Sequence, residues 1–359
     1  MGGGLAGAGA AIRLARAGRA VTLVERSAGP HHKVCGEFLS GEALGELGAL
    51  GIDPAAMGAP ALSRVRIAAR GGAHAAPLPF PALSLTRRAL DEALLDRAQA
   101  VGVTVMRGRS VTRVARSGEG WRADLSAGDP LAAPVLVAAT GKHDQRGDRR
   151  PDGLHGDLVG LKSYYRLSPS AAAELAGAVD VIFFPGGYLG IQPVETGEAN
   201  ACLVVSRACL AQLGGDPWAV FDHVARSSEH AGALLAGAER TLAKPLAVGR
   251  VPYGYVRTRT DGAYHVGDQA AVIPSFCGEG MGLALRSGHL AADAIIADED
   301  ARAYQRRFAA LAFARVKATA VLSRVLSHDP VQRSAAALAA LSPRVVAQIA
   351  SVTRTPEAA

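Results

Sequence analysis

Apolar positions follow two different rhythms along this chain. Towards each end they recur with the helical period beside short continuous runs, whereas between residues 158 and 207 they form closely spaced runs broken by glycine turns. The first helical stretch covers 5–17: Ala6, Ala8 and Ala10 keep one face small, Ile12 and Leu14 add bulk, and Gly18 supplies a stop. An apolar run at 20–24 ends in Glu25. The pattern then predicts a short helix over 41–50, a strand over 62–69, a helix over 84–100 opening near Thr86, and a strand over 101–105. Segments 110–116 and 121–125 read as a hairpin, and Val135 to Ala139 is a continuous run of the kind buried in a parallel sheet.

Strands at 158–166, 179–184, 188–193 and 199–207, separated by Pro185-Gly186-Gly187 and Glu195-Thr196-Gly197, predict an antiparallel sheet. A short strand at 263–266 leads into Gly267-Asp268, and 280–296 and 301–352 read as helical with breaks at Pro330 and Pro343. The implied architecture is α/β. A nucleotide-binding unit takes 1–70, 84–157 and 250–300; an inserted antiparallel β-sheet substrate domain takes 71–83 and 158–249; a C-terminal helical tail takes 301–359.

Composition sets the outer limits. With 359 residues, 49% hydrophobic and 20% charged, the chain has enough apolar material for a large globular core. Its net charge of +7 is scattered, and the clusters Arg146-Arg149-Arg150 and Arg302-Arg306-Arg307 lack the interleaved aromatics of a nucleic-acid stripe, so they read as solvated surface. Cys35, Cys202, Cys209 and Cys277 form no C-x-x-C pair, and the ten histidines, His31-His32 included, lack metal-ligand spacing, so no metal is expected. No leader pattern and no apolar run of the ~18 residues that span a bilayer is visible, so a cytoplasmic protein is expected.

Two constellations carry chemistry. Gly2, Gly4 and Gly7 fit a G-x-G-x-x-G turn, and Glu25 follows 18 residues after Gly7, near the ~20 typical of dinucleotide folds. Such glycines let backbone N–H groups approach a pyrophosphate at a helix N-terminus, while the acid accepts ribose hydroxyls. The second is the run from Gly267-Asp268 to Gly278-Glu279-Gly280-Met281-Gly282. Asp268 can take a ribityl hydroxyl, and the helix opening at Gly280 can aim free N–H groups at a flavin ring edge. One feature is out of pattern: only Met1 precedes the first glycine, where the central strand of such a sheet belongs. Five strand residues at roughly 2 kcal/mol each make ~10 kcal/mol of burial, so the expectation is either a late start or a defective sheet.

With these motifs, residues 1–300 resemble FAD-dependent oxidoreductases of the glutathione-reductase type, in the branch holding group A aromatic hydroxylases and geranylgeranyl reductases. Thr86-Arg87-Arg88-Ala89-Leu90-Asp91 is similar to that family's S-R-x-x-L-D segment, and Ala138-Ala139-Thr140-Gly141 to its A-x-G strand end. The resemblance implies a Rossmann-like FAD-binding domain in which Gly2, Gly4, Leu5, Ala6, Gly7, Glu25 and Arg26 hold the ADP half. It implies further that Arg87, Thr140 and Gly141 lie near the cofactor, Gly267 and Asp268 on the ribityl chain, and Gly278, Gly280, Met281 and Gly282 at the pyrimidine edge. Lys33 to Leu39, with its Cys35-Gly36 pair, is similar to a geranylgeranyl-reductase segment, and Pro185-Gly186-Gly187-Tyr188 to another; both imply Cys35 and Tyr188 as candidate catalytic groups over the flavin.

There are departures. The hydroxylases' D-G pair is replaced by Thr140-Gly141-Lys142-His143-Asp144, so the family's electron donor, NADH or NADPH, is implied without a route; His143-Asp144 reads as a surface turn beside the cofactor. The G-W-x-W-x-I-P segment of tryptophan halogenases is absent at Gly186 to Pro193, which disfavours that branch. The leading expectation is a monooxygenase that oxidises a small apolar or aromatic organic substrate through a flavin hydroperoxide. The alternative is a geranylgeranyl-type reductase that saturates prenyl C=C bonds, with Cys35 or Tyr188 as acid, and a third class is a flavoprotein homologue without turnover. For the tail after Tyr304 the default is packing, with dimerisation and contact at a membrane surface as the other roles considered.

Overall fold

The computed structural model describes residues 1–69, 72–144 and 149–327. Nine α-helices are described: α1 (Leu5–Arg16), α2 (Gly41–Leu50), α3 (Arg87–Ala100), α4 (Pro169–Leu175), α5 (Arg207–Gln212), α6 (Pro217–Ser227), α7 (Glu229–Leu235), α8 (Gly280–Ile296) and α9 (Ala301–Val325). The predicted tail beyond α9, with Pro330 and Pro343, lies outside the described residues.

Helix α1 lies at the centre of the nucleotide-binding unit because its small residues allow neighbours on two sides. Leu5, Ala8 and Ile12 pack with Leu47 of α2 and Leu90, Leu94 and Leu95 of α3; Ala6, Ala10 and Leu14 pack with Leu283, Ala291 and Ile295 of α8. α1 and α8 run side by side in the same direction. A Cβ on Gly288 would lie 2.3 Å from the Ala6 carbonyl oxygen, and farther along Arg13 bonds Asp293. That approach is closed to any residue but glycine.

The strand Thr22–Glu25 pairs in parallel with Thr104–Arg107, and Val137–Ala138 pairs in parallel with Tyr264–His265. Met1 and Gly2 lie in the lane between the two pairs. Gly2 N–H donates to Val24 O at 2.8 Å, the Met1 nitrogen to Val137 O at 2.9 Å, and Ala139 N–H to Met1 O at 2.9 Å. Two residues thus carry the hydrogen bonding across the sheet where a full strand was expected. Of the predicted buried run Val135 to Ala139, only Ala138 is buried and Val135 is exposed, because the partner strand supplies just Tyr264 and His265.

The second sheet has nine strands. Its core is the antiparallel set Leu158–Arg166, Ala199–Ser206, Gly187–Pro193 and Ala178–Phe184, as the run pattern predicts. Ala178–Phe184 also pairs in parallel with Ala61–Ala69, which forms a hairpin with Gly72–Ser84. The strand that the local pattern puts in the nucleotide-binding unit therefore belongs to the larger sheet, its parallel partner lying over a hundred residues away. Alternation sorts the faces: Leu189, Ile191, Leu203 and Val205 meet α4, α6 and α7, while Tyr188 and Val204 turn towards Tyr253, Val272 and Ala320. α4 to α7 escape the periodicity reading because each is short, although Ser168, Ser206, Asp216 and Ser228 mark their starts.

Candidate functional site

Helix caps point to the site. Seven of the nine described α-helices open with a side-chain oxygen that accepts a first-turn N–H: Ser40, Thr86, Ser168, Ser206, Asp216, Ser228 and Asp300. α1 and α8 have no such bond, their cap positions being Gly4 and Glu279. Both open on one cavity of about 770 Å³, lined by Gly4, Leu5, Ala6, Gly280 and Met281 among others. Since Gly288 lies level with Ala6, the two mouths are seven residues out of step, about 10 Å at 1.5 Å per residue. Free N–H groups at two places so spaced suit one elongated ligand that is anionic at one end and carries acceptors at the other.

The glycines shape that cavity. Gly2 has φ +94°, and a Cβ there would meet Ala139 O at 2.2 Å; a Cβ on Gly7 would meet Gly2 O at 2.0 Å. Gly7 therefore closes the turn and does not line the cavity, and Gly282 likewise faces α2, 3.4 Å from Ala43 N. Above Gly4 lie the cations Arg87 and Lys33, 3.3 and 3.7 Å from where a Cβ would be. Both pair with buried Asp91, Lys33 at 2.6 Å and Arg87 at 2.8 Å. Burial alone would lower the Arg87 guanidinium, but Asp91 and the nearby Cys35 outweigh it and keep it charged.

Glu25 is buried at the cavity wall and accepts from Gly3 N–H at 2.7 Å and Ser27 N–H at 2.9 Å. Burial pushes its carboxyl up; those N–H groups and the Lys33 charge prevail and hold it below the usual carboxylate range. Gly267, at φ +61°, donates its N–H to Ser287 at 2.7 Å and brings Asp268 to the cavity. Gly278, at φ +72°, packs on Phe38. Arg26, Thr140 and Gly141 line the same space, as does His143, whose Nε2 lies 2.8 Å from Arg26. Burial and then the charges of Arg26 and Arg150 hold His143 below the usual histidine range. His143 and Asp144 are both exposed and form the rim of the cavity, in keeping with the expected surface turn. Arg150, read as solvated surface, is buried: it donates to Asp144 at 2.6 Å, Lys142 O at 2.7 Å and Asp268 O at 2.8 Å, tying the rim to the Asp268 turn.

Comparison with known proteins then bears on the ligand of this cavity. Residues 1–156 match the sequence model described as FAD binding domain. The chain thus carries an FAD-binding domain and is similar to FAD-dependent oxidoreductases. It is 25% identical over 321 residues to menaquinone reductase of Mycobacterium tuberculosis, covering 84% of this chain and 77% of that one. It is 29% identical over 330 residues to digeranylgeranylglycerophospholipid reductase 2 of Methanopyrus kandleri, covering 86% and 80%. Its fold is that of CmlS, a flavin-dependent halogenase, with TM-score 0.74 and 24% identity over 88% of this chain; the chain spans 62% of that halogenase's length.

The two candidate catalytic residues of this flavoprotein part company. Cys35 lines the main cavity within reach of Arg87, and its sulfur accepts from Glu37 N–H at 3.4 Å. Tyr188 is buried beside a second, small cavity and reaches the main one through a neighbour: its hydroxyl lies 3.2 Å from that of Tyr253, which lies 2.7 Å from Ser275. Burial raises both phenols, Tyr253 to about 12.

Sequence reading missed the group below Cys35. Glu37, fully buried at φ +60°, accepts from Arg87 N–H at 2.7 Å and Tyr164 Oη at 2.9 Å and pairs with buried Lys162 at 2.5 Å. Burial lifts its carboxyl above the usual range in spite of Lys162. His32 Nδ1, 3.1 Å from Tyr164 Oη, links this network to the cavity wall. The available signal was Lys162 itself, a lone charge inside the apolar strand Leu158–Arg166. Among the described residues no cluster of three or more His, Cys, Asp or Glu is arranged to hold a metal.

Proposed function

We propose that this flavoprotein is an ene-type reductase that saturates C=C bonds of a prenyl or otherwise lipid-like substrate. The observation that carries the reading is the position of Cys35, a thiol on the wall of the cavity into which both uncapped helices open. An apolar stretch of the same wall, Val34, Leu246, Val248, Val251 and Val272, suits a hydrocarbon chain. The two curated relatives, matched over more than four fifths of this chain, are reductases by name, and one of them acts on a lipid by name.

FAD would lie with its ADP half on Gly2, Gly4, Leu5, Ala6, Glu25 and Arg26, its ribityl chain at Asp268, and its pyrimidine edge at Gly280 and Met281. When bound it supplies the hydride such a reduction requires. Glu25 is the anchor for the adenosine ribose and is held in place by the N–H groups of Gly3 and Ser27. Glu25→Ala is expected to weaken FAD binding about tenfold to a hundredfold, measured by fluorescence titration. Cys35 gives the proton, with Arg87 positioning its sulfur; the Tyr188 and Tyr253 hydroxyls supply a second route through Ser275. The external electron donor is NADH or NADPH, which anaerobic bleaching of the bound flavin identifies.

The decisive experiment is turnover of a prenylated quinone with reduced enzyme under strict anaerobiosis. A saturated product is expected, and Cys35→Ala is expected to cut turnover about a hundredfold while the protein stays yellow, with Cys35→Ser restoring part of the rate. Conversion that requires oxygen would instead establish the second reading, the monooxygenase, which rests on the superfamily's hydroxylase branch.

A further inference from the structure

Helix α9 carries two ridges of the same spacing. The inner one, Tyr304, Phe308, Ala312, Val316 and Ala320, recurs every four residues and is buried in the core. The outer one runs through Phe313, Lys317, Val321 and Val325. Its apolar members are 49%, 55% and 44% exposed, three of the six large hydrophobics left that open among the described residues. Half of the molecule's described exposed apolar bulk thus lies on half of one helix. The same helix contains Arg302, Arg306, Arg307, Arg315, Lys317 and Arg324 and no acidic residue. Arg307 is paired with Glu299 at 2.7 Å, and the Lys317 ammonium lies 5.5 Å from the Phe313 ring.

Charge selects the occupant of this ridge. A second copy related by two-fold symmetry would set basic residues against their own counterparts. Residues 328–359 bring Arg333, Arg344 and Arg354 against only Asp329 and Glu357, so they too lack the complementary sign. A nucleic acid would match the cations and leave Phe313, Val321 and Val325 without an apolar partner. A surface that is anionic at its face and hydrocarbon just beneath satisfies both sets.

We propose that the outer ridge of α9 docks on a bilayer containing anionic lipids. Phe313, Val321 and Val325 enter the boundary between headgroups and acyl chains, and Arg306, Lys317 and Arg324 meet lipid phosphates. No helix of the described residues is long and apolar enough to cross a membrane, so this contact lies along the surface. The ridge ends beside Leu326 and Ser327, which line the small cavity that holds Tyr188. The proposal stands on α9 alone and holds for either reaction considered above.

Co-sedimentation of the full chain with vesicles tests it, using phosphatidylcholine alone and an equal mixture with phosphatidylglycerol. Binding to the mixed vesicles and not to the neutral ones is expected, falling at least about tenfold as salt rises from ~0.1 to ~0.5 M. Phe313→Ser combined with Val321→Ser, and separately Lys317→Glu combined with Arg324→Glu, should each lower partitioning about tenfold or more. Unchanged circular dichroism and retained yellow colour show that these variants are folded. The proposal is overturned if the full chain ignores anionic vesicles, or if either pair of substitutions leaves binding unchanged. It is equally overturned if sedimentation equilibrium finds a dimer that the serine variant dissolves.

Discussion

Gly7→Ala should yield a colourless protein. The added Cβ would lie 2.0 Å from Gly2 O and 3.0 Å from the Ala139 Cβ, so the backbone of the turn must move. Displacement of that kind costs about 1–3 kcal/mol in stability and withdraws the N–H groups of α1 from the cavity. We expect FAD affinity to fall at least a hundredfold, read by flavin absorbance after desalting. Gly9→Ala, two residues along the same helix, is the control with opposite sign. Its Cβ would meet His289 and Leu50 at 3.5 Å, an ordinary contact, so alanine's better helix propensity should raise stability by about 0.5–1 kcal/mol. Retention of flavin in the Gly7 variant would contradict the assigned turn.

Lys162→Met should destabilise the protein by about 3–5 kcal/mol near neutral pH, because it leaves the Glu37 carboxylate buried without its cation. Most of that loss should be recovered in Lys162→Met/Glu37→Gln, which removes both charges. The pH dependence has a definite sign. Burial already raises Glu37 in the folded state, so over a window above its ordinary range the native chain keeps a proton that the unfolded chain has released. Stability therefore falls as pH rises through that window. Loss of Lys162 extends the window upward, and denaturant melts should show a larger deficit at about pH 8 than at about pH 5. Equal deficits at the two values would mean that Glu37 does not titrate there.

Local signals proved dependable where both ends of an element are written in nearby residues. α2 runs from the Ser40 cap to Gly51 at φ +79°, and α8 from Gly280 to Ile296, each within the predicted bounds. The glycine turn, the Gly267-Asp268 turn and Cys35 could be read one by one, and the structure brings them to one cavity. What stayed hidden depends on partners far along the chain. Arg150 looks like any surface arginine until Asp144, Lys142 and Asp268 surround it. Whether Ala61–Ala69 joins one sheet or the other is settled by Ala178–Phe184, not by its own residues. Tyr188 has the alternation of a sheet residue, but only the position of Tyr253 decides that it lies behind the main cavity's wall.

The contact of Gly288 with the Ala6 carbonyl has one more effect. It locks two helices in a fixed stagger, so the gap between their open ends is a gauge built from backbone. On the proposed placement both ends of that gauge fall within the riboflavin phosphate portion of the ligand, so the stagger fixes the span from phosphate to ring and leaves the choice of the adenylated coenzyme to groups beyond it, Glu25 first.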